Sequence, residues 1–244
     1  MKKFVTKIKE IFSDKKKRRL ASLIVIMPFL IVMLICGINL YKQAKNIIGL
    51  ASAEQAQPTD TKNLIKDGSF VLRENATELQ ETYFAELKDM YENPNSEMTD
   101  DDKAISTVKN FVADFYTWSN KLGQYDVGGT YYFYSPQRST IYIQVRDQFY
   151  KYINQHINKY GAEALLEVEN VEASLTKKNF TFAIEENEYD AYMVKADWTY
   201  VLKEGGFDTS KYDTKGYFVV INNDGRFEIA YMGNNEYEET VAEE

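Results

Sequence analysis

Residues 20–40 form one apolar run with no formal charge, and Ser22 and Asn39, both near its ends, are its only plainly polar positions. At about 1.5 Å per residue a helix of this length covers roughly 30 Å, the hydrocarbon thickness of a bilayer. The run therefore predicts one membrane-spanning helix. Pro28 lies inside it, and bilayer helices accommodate proline where Ser side chains or neighbouring helices take up the freed carbonyl. Ahead of the run, Phe4, Val5, Ile8, Ile11 and Phe12 recur among lysines at spacings of three and four. That spacing predicts a short basic amphipathic helix, lying on the inner membrane surface or continuing into the span. Beyond the run hydrophobicity thins, and residues 41–74 are expected to form a tether whose most polar part is 51–61.

Three helical patterns follow. Thr77 caps the first, over 77–92, which places Leu79, Tyr83, Leu87 and Met90 on one face and stops at Asn93-Pro94-Asn95. Thr99 opens the second, with Asp100, Asp101 and Asp102 set against the positive end of the helix dipole. Ile105, Val108, Phe111, Val112, Phe115 and Leu122 then recur at helical spacing, and Gly123 is the expected stop. The third reaches about Tyr160, with Val145, Phe149, Tyr152, Ile153 and Ile157 on one side; its opening part, 141–145, serves equally well as a short strand.

From Ala162 the period changes to two. Candidate strands are 165–175, 179–185, 189–203, 216–222 and 226–232. In the third, Tyr192, Val194, Ala196, Trp198 and Tyr200 share one face, and Met193, Lys195, Asp197 and Thr199 share a mostly wet one. Asn223-Asp224-Gly225 between two strand patterns is a strong hairpin signal. Helices first and an antiparallel meander afterwards predict an α+β domain, with helices packed on one face of a curved sheet. The chain then divides into a basic cytoplasmic tail (1–19), a transmembrane helix (20–40), a tether (41–74), an exported domain (75–235) and an acidic tail (236–244).

Charge gives the division a direction. Of the chain's 29 Lys and Arg, nine lie in residues 1–19 against two acidic residues, while residues 41–244 carry 20 basic against 35 acidic. The cluster Lys15, Lys16, Lys17, Arg18 and Arg19 abuts the apolar run, and such an excess in a short flank marks the cytoplasmic side. The domain after the span is thus placed outside a cell membrane, single-pass, with no direct nucleic-acid contact expected of so acidic a surface. The only cysteine, Cys36, lies in the apolar run, so the exported domain holds no disulfide. The run exceeds a usual signal-peptide core, and the small-residue site Ala51-Ser52-Ala53 lies well past its end, so an uncleaved anchor is expected.

Catalytic chemistry finds little support. No phosphate-gripping Gly-Lys-Ser or Gly-Lys-Thr occurs, and His156 is the sole histidine, which removes most zinc-hydrolase and Ser-His-Asp schemes. Glu185, Glu186, Glu188 and Asp190 crowd a predicted turn, but without the alternation and glycine of a calcium loop they read as a solvated acidic turn. No catalytic, cofactor or metal residue is therefore expected. The run Tyr131, Tyr132, Phe133 and Tyr134 after Gly128-Gly129 leaves two readings open, a partner interface or a loop packed under the sheet.

The capped helix over 99–122 and the strands at 189–203, 216–222 and 226–232, behind a stub and a single span, resemble a known architecture. It is that of the VirB-eight-like scaffold subunits of type IV secretion systems, including the TcpC and TraM proteins of Gram-positive conjugative elements. Their exported domains are nuclear-transport-factor-2-like cones. The likeness spans roughly residues 75–235 and is one of architecture, without a diagnostic motif. It implies a non-enzymatic part that forms homo-oligomers and docks other envelope or transfer-channel proteins outside the membrane. Two other readings stay open: an envelope accessory or sensing domain that binds a wall component or a peptide, and a cone-fold enzyme using an Asp base with Tyr donors.

Overall fold

The computed structural model describes residues 64–65, 69–203 and 207–237. The basic tail with Lys15–Arg19, the apolar run, Cys36 and most of the tether lie outside the described residues. Among the described residues no helix is long and apolar enough to cross a membrane.

The described residues make one compact α+β unit of helices and a four-stranded antiparallel sheet. Helices α1 (Glu78–Glu92) and α2 (Asp100–Phe115) come first, then α3 (Arg138–Asp147) and α4 (Ile153–Tyr160). Strands β1 (Val168–Ile184), β2 (Asn187–Tyr200), β3 (Lys215–Asn223) and β4 (Arg226–Gly233) follow in the spatial order β1-β2-β3-β4, a plain meander. Helix α2 lies against all four strands on one face of the sheet, and α1 packs on α2 and β1.

Both long helices begin as the sequence dictates. The Thr77 hydroxyl accepts from the Gln80 N–H while the Gln80 amide accepts from the Thr77 N–H (3.0 Å), a capping box. Thr99 and Asp102 repeat it, the Asp102 carboxylate accepting from the Thr99 N–H at 2.8 Å. Those bonds from Thr99, against a small cost of burial, hold the Asp102 carboxyl below its ordinary range. Helix α1 ends at Asn93 as expected.

Helix α2 stops at Phe115 and does not run to Leu122. The N–H groups of Trp118 and Ser119 both donate to the Leu166 carbonyl (2.7 and 2.9 Å), which pulls the chain off the helix axis towards the start of β1. Leu122 is left exposed rather than in the core stripe. The third helical pattern is two helices broken at 148–152, and 141–145 is helical. The break turns Tyr150 into the core and Tyr152 out to solvent.

The two candidate strands at 165–175 and 179–185 are one strand, β1, bent at register shifts between Leu175 and Lys177 and between Lys178 and Phe180. Asn179 takes a positive φ of 56° at the second. Such bulges strengthen twist and interrupt a continuous edge. Asp224 and Gly225 form a two-residue turn with φ of 52° and 86°, the backbone that a tight hairpin between right-twisted strands requires.

The core lies between α2 and the inner face of the sheet. Tyr192, Val194, Ala196, Trp198 and Tyr200 all face it, as their alternation predicts. Phe111 sits at its centre, with ring centroids 4.9 Å from Phe115, 5.0 Å from Phe133 and 5.7 Å from Phe218. The opposite face of β2 is drier than expected at one end. Met193 is buried there with Ala191, Phe180, Val219, Ile221 and Tyr134, because the segment carrying Tyr134 folds over the β4 edge. The body also begins before residue 75: Ile65 and Phe70 are core residues, so the last part of the 41–74 segment packs instead of spacing. At the other end Tyr237 rests on Phe182 and Tyr231.

Candidate functional site: two carboxylate centres beneath a glycine–aromatic loop

The loop between α2 and α3 holds the aromatic run, and two carboxylate centres fasten it, Asp114 partly exposed and Glu228 fully buried. The first stands at the C-terminal end of α2. A carboxylate in the last turn faces the negative end of the helix dipole, so Asp114 needs cations. Lys121 supplies one: its side chain is fully buried, and its ammonium donates to Asp114 Oδ1 (2.7 Å) and Asn120 Oδ1 (3.2 Å). Arg73 supplies the other, with Nε 3.2 Å from Asp114 Oδ1 and Nη2 paired with Asp126. Burial pushes the Lys121 amine down to about 8, against the pull of Asp114. Burial would raise the Asp114 carboxyl, but Lys121, Arg73 and the Gly129 N–H (2.7 Å) outweigh it and hold the group below its ordinary value.

Gly128 and Gly129 are what this centre requires of the loop. A Cβ on Gly128 would stand 2.7 Å from both Asp114 Oδ1 and Lys121 Nζ. Gly129 has a φ of 74° and lies against the Phe111 ring. The Tyr150 hydroxyl donates to the Phe115 carbonyl (2.7 Å) and accepts from the Gly128 N–H (3.2 Å), so the C-terminal end of α2 is closed by a side chain from the α3–α4 connection. Gln80 and Asn110 complete the surround, donating to the carbonyls of Ala113 and Tyr83 (both 2.9 Å).

The second centre is Glu228 on β4, fully buried. Arg138 Nη2 (3.0 Å), Arg226 Nε (3.2 Å) and the Ser135 hydroxyl (2.7 Å) meet its Oε1, and Asn223 donates to Oε2 (2.9 Å). Arg138 also donates to the carbonyls of Phe133 (2.8 Å) and Tyr131 (2.5 Å). The loop is thereby laced to the sheet edge, where the Tyr134 N–H donates to the Ile229 carbonyl (2.9 Å).

The aromatic run divides accordingly. Tyr132 stacks on Phe70 (5.1 Å) and Phe133 packs on Phe111, both in the main core. Tyr134 turns to the outer face of the sheet, where its hydroxyl meets that of Tyr189 (2.8 Å); that bond, more than burial, pushes it up to about 12. Tyr131 remains half-buried. Packing thus accounts for Tyr132, Phe133 and Tyr134, and Tyr131 keeps the most accessible edge. His156 lies among rings, 4.7 Å from Phe207 and 6.2 Å from Trp118, and burial with Lys159 nearby lowers its basicity. Glu185 and Glu186 form the β1–β2 turn, and among the described residues no group of His, Cys, Asp or Glu is placed to hold a metal ion.

Chemically, the Asp114 centre has the ingredients of a reactive lysine site but little room. The space lined by Arg73, Gln80, Asn110, Asp114 and Tyr132 is about 10 Å³, room for one water at most. A larger hollow of about 220 Å³ opens beside Leu165, Val201 and Phe207; among the described residues its charged wall residue is Lys203, which donates to Glu167 (2.6 Å). Sequence reasoning missed Arg73, Asp114, Lys121 and Glu228. The Gly128-Gly129 pair was the only local signal pointing to a tightly packed neighbour. Comparison of the chain with protein-family models, with curated proteins and with solved structures gives no match.

Proposed function

We propose that the chain is a membrane-anchored scaffold subunit of a conjugative type IV secretion channel in a Gram-positive envelope. Its exported domain would be a nuclear-transport-factor-2-like cone of the VirB-eight-like kind. The observation that carries this reading is α2 laid across one face of a four-stranded meander, in a chain whose sequence places a basic stub and an apolar run ahead of it. The filled interior supports a positional role. Phe111, Phe115, Tyr116, Trp198 and Phe218 occupy the space between helix and sheet where a cone-fold enzyme holds its substrate. The buried charges are bonded to one another and serve to fasten the loop. On this reading residues 20–40 anchor the protein and the domain outside self-associates and docks other channel subunits. It turns over no substrate and touches no nucleic acid.

The test is photo-cross-linking in cells from half-buried Tyr131 and exposed Met98, with mass spectrometry of what is captured. Capture of the chain itself and of transfer-channel subunits, with loss of transfer on deleting residues 58–244, is expected. No capture, with transfer intact after that deletion, would overturn the scaffold reading in favour of an envelope accessory domain.

A further inference from the structure

We infer that the α3–α4 end of the domain is a second membrane contact, which docks on the anionic phospholipid headgroups of the bilayer that anchors the chain. The inference rests on the anchor reading of residues 20–40 and does not depend on the secretion role.

Helix α3 contributes no buried residue and α4 only Ile153, so these helices present most of their surface outward. What they present is not a usual soluble surface. Leu122 is 88% exposed, Tyr125 51%, Ile143 50% and Tyr152 49%. Hydrogen bonds hold their segments side by side. The Gln124 N–H donates to Asn154 of α4 (3.1 Å), its side-chain amide donates to the Arg146 carbonyl of α3 (3.2 Å), and the Tyr142 hydroxyl donates to the Tyr125 carbonyl (3.0 Å). Cations sit over the exposed rings: Arg146 lies 5.6 Å from the Tyr125 ring, Lys151 5.2 Å from Tyr152 and Lys159 4.7 Å from Tyr160. Protruding Leu and Ile, ringed by Tyr and by long cationic side chains, suit a headgroup boundary. There the aliphatic groups enter the acyl edge, Tyr spans the interface, and Lys and Arg reach phosphates.

Charge selects the same surface. Residues 138–160 hold four basic residues and one acidic residue; Arg146 neutralises Asp147 at 2.7 Å and Arg138 is held by Glu228, which leaves Lys151 and Lys159 to meet phosphates. The rest of 41–244 carries 34 acidic against 16 basic residues, so an anionic bilayer repels most of the domain and disfavours this end least. The tether supplies proximity. Only residues 41–63 separate the apolar run from Leu64, so an anchored chain keeps the domain near the bilayer.

The experiment uses the full chain with Cys36→Ser and Ser139→Cys, one turn ahead of Ile143 and carrying an environment-sensitive fluorophore. The chain is reconstituted into nanodiscs whose acyl chains are brominated. Quenching of the label is expected in phosphatidylglycerol discs and not for a label at Met98→Cys. Lys151→Gln with Lys159→Gln should weaken the contact by roughly fivefold per charge, and Leu122→Ser with Ile143→Ser should weaken it several-fold. Phosphatidylcholine discs should give little quenching. Equal quenching at 139 and 98, no quenching at 139, or quenching only with two chains per disc would overturn the proposal. Co-elution with the discs reports the anchor separately. A chain that elutes free refutes the anchor, and titration of it with phosphatidylglycerol vesicles then decides the surface, binding supporting it and its absence overturning it.

Discussion

The two carboxylates fasten the same loop by different chemistry. Asp114 faces a lysine that no water reaches, whereas Glu228 faces two arginines whose side chains remain 23% exposed. An ammonium on a flexible stem is a compact, strongly hydrated charge, and once enclosed it depends on its counter-ion. A guanidinium sheds its hydration more readily and, at a surface edge, recovers it more readily. The difference teaches that equal-looking ion pairs carry unequal risk: what matters is where the surviving partner is left when one is removed. Asp114→Ala strands Lys121 in the interior and should cost about 3–5 kcal/mol. Glu228→Ala lets Arg138 and Arg226 swing to solvent and should cost about 2 kcal/mol. Urea unfolding of residues 58–244 measures both, and equal losses would break the comparison.

Alkaline pH separates the centres next. The Lys121 amine is lowered to about 8 in the folded protein and titrates at about 10.4 when unfolded. Between those values the unfolded chain binds the extra proton, so stability rises with pH, by about 3 kcal/mol at most. The penalty of burying the charged amine, present below pH 8, is what disappears. Lys121→Met should flatten that rise. Above about pH 10 the slope reverses, since burial raises the Tyr132 and Tyr150 hydroxyls and the unfolded tyrosines ionise first. On the acid side, the lowered Asp114 carboxyl contributes fully above the ordinary Asp value of about 3.9 and is lost as pH falls through its folded value. Melting temperature against pH, for the wild type and Lys121→Met, reads all three.

A smaller effect probes how tightly each centre grips the loop. Gly128→Ala drives a methyl between Asp114 and Lys121 and should cost about 1–3 kcal/mol, the range for overpacking a closed interior. Gly225→Ala, at the open β3–β4 turn, has nothing within 4 Å of its new Cβ and meets only the backbone cost of its positive φ, about 1 kcal/mol. If Gly128→Ala costs no more than Gly225→Ala, the Asp114 centre is looser than its distances state.

Local rules made the scaffold legible and left the centres dark. Thr77 and Thr99 announce helix starts because a cap is a contact over three residues, and Asp224-Gly225 announces a turn for the same reason. The end of α2 was misplaced because it is decided by the Leu166 carbonyl, some 50 residues downstream. The single strand β1 was split because Lys177, Lys178 and Asn179 form its bulge, and a bulge interrupts the alternation that marks a strand. Asp114, Lys121 and Arg73 look like ordinary surface charges, since a pair closed over 41 residues leaves no spacing to recognise.

The last test uses neighbours in sequence. Lys121 and Leu122 are adjacent, yet the charged residue is enclosed and the apolar one protrudes, because the chain turns between them to place the Leu122 N–H on the Asp126 carboxylate (2.8 Å). Hydropathy predicts the reverse order of importance. Leu122→Ser removes almost no buried surface and keeps the backbone bond, so it should change stability by less than about 0.5 kcal/mol, against the far larger loss from Asp114→Ala. A Leu122→Ser loss above about 1 kcal/mol in urea would mean that Leu122 packs against the fold, which would also remove it from the proposed lipid contact. A neutral result leaves its exposure as a property kept at some cost in solubility, as a surface reserved for docking requires.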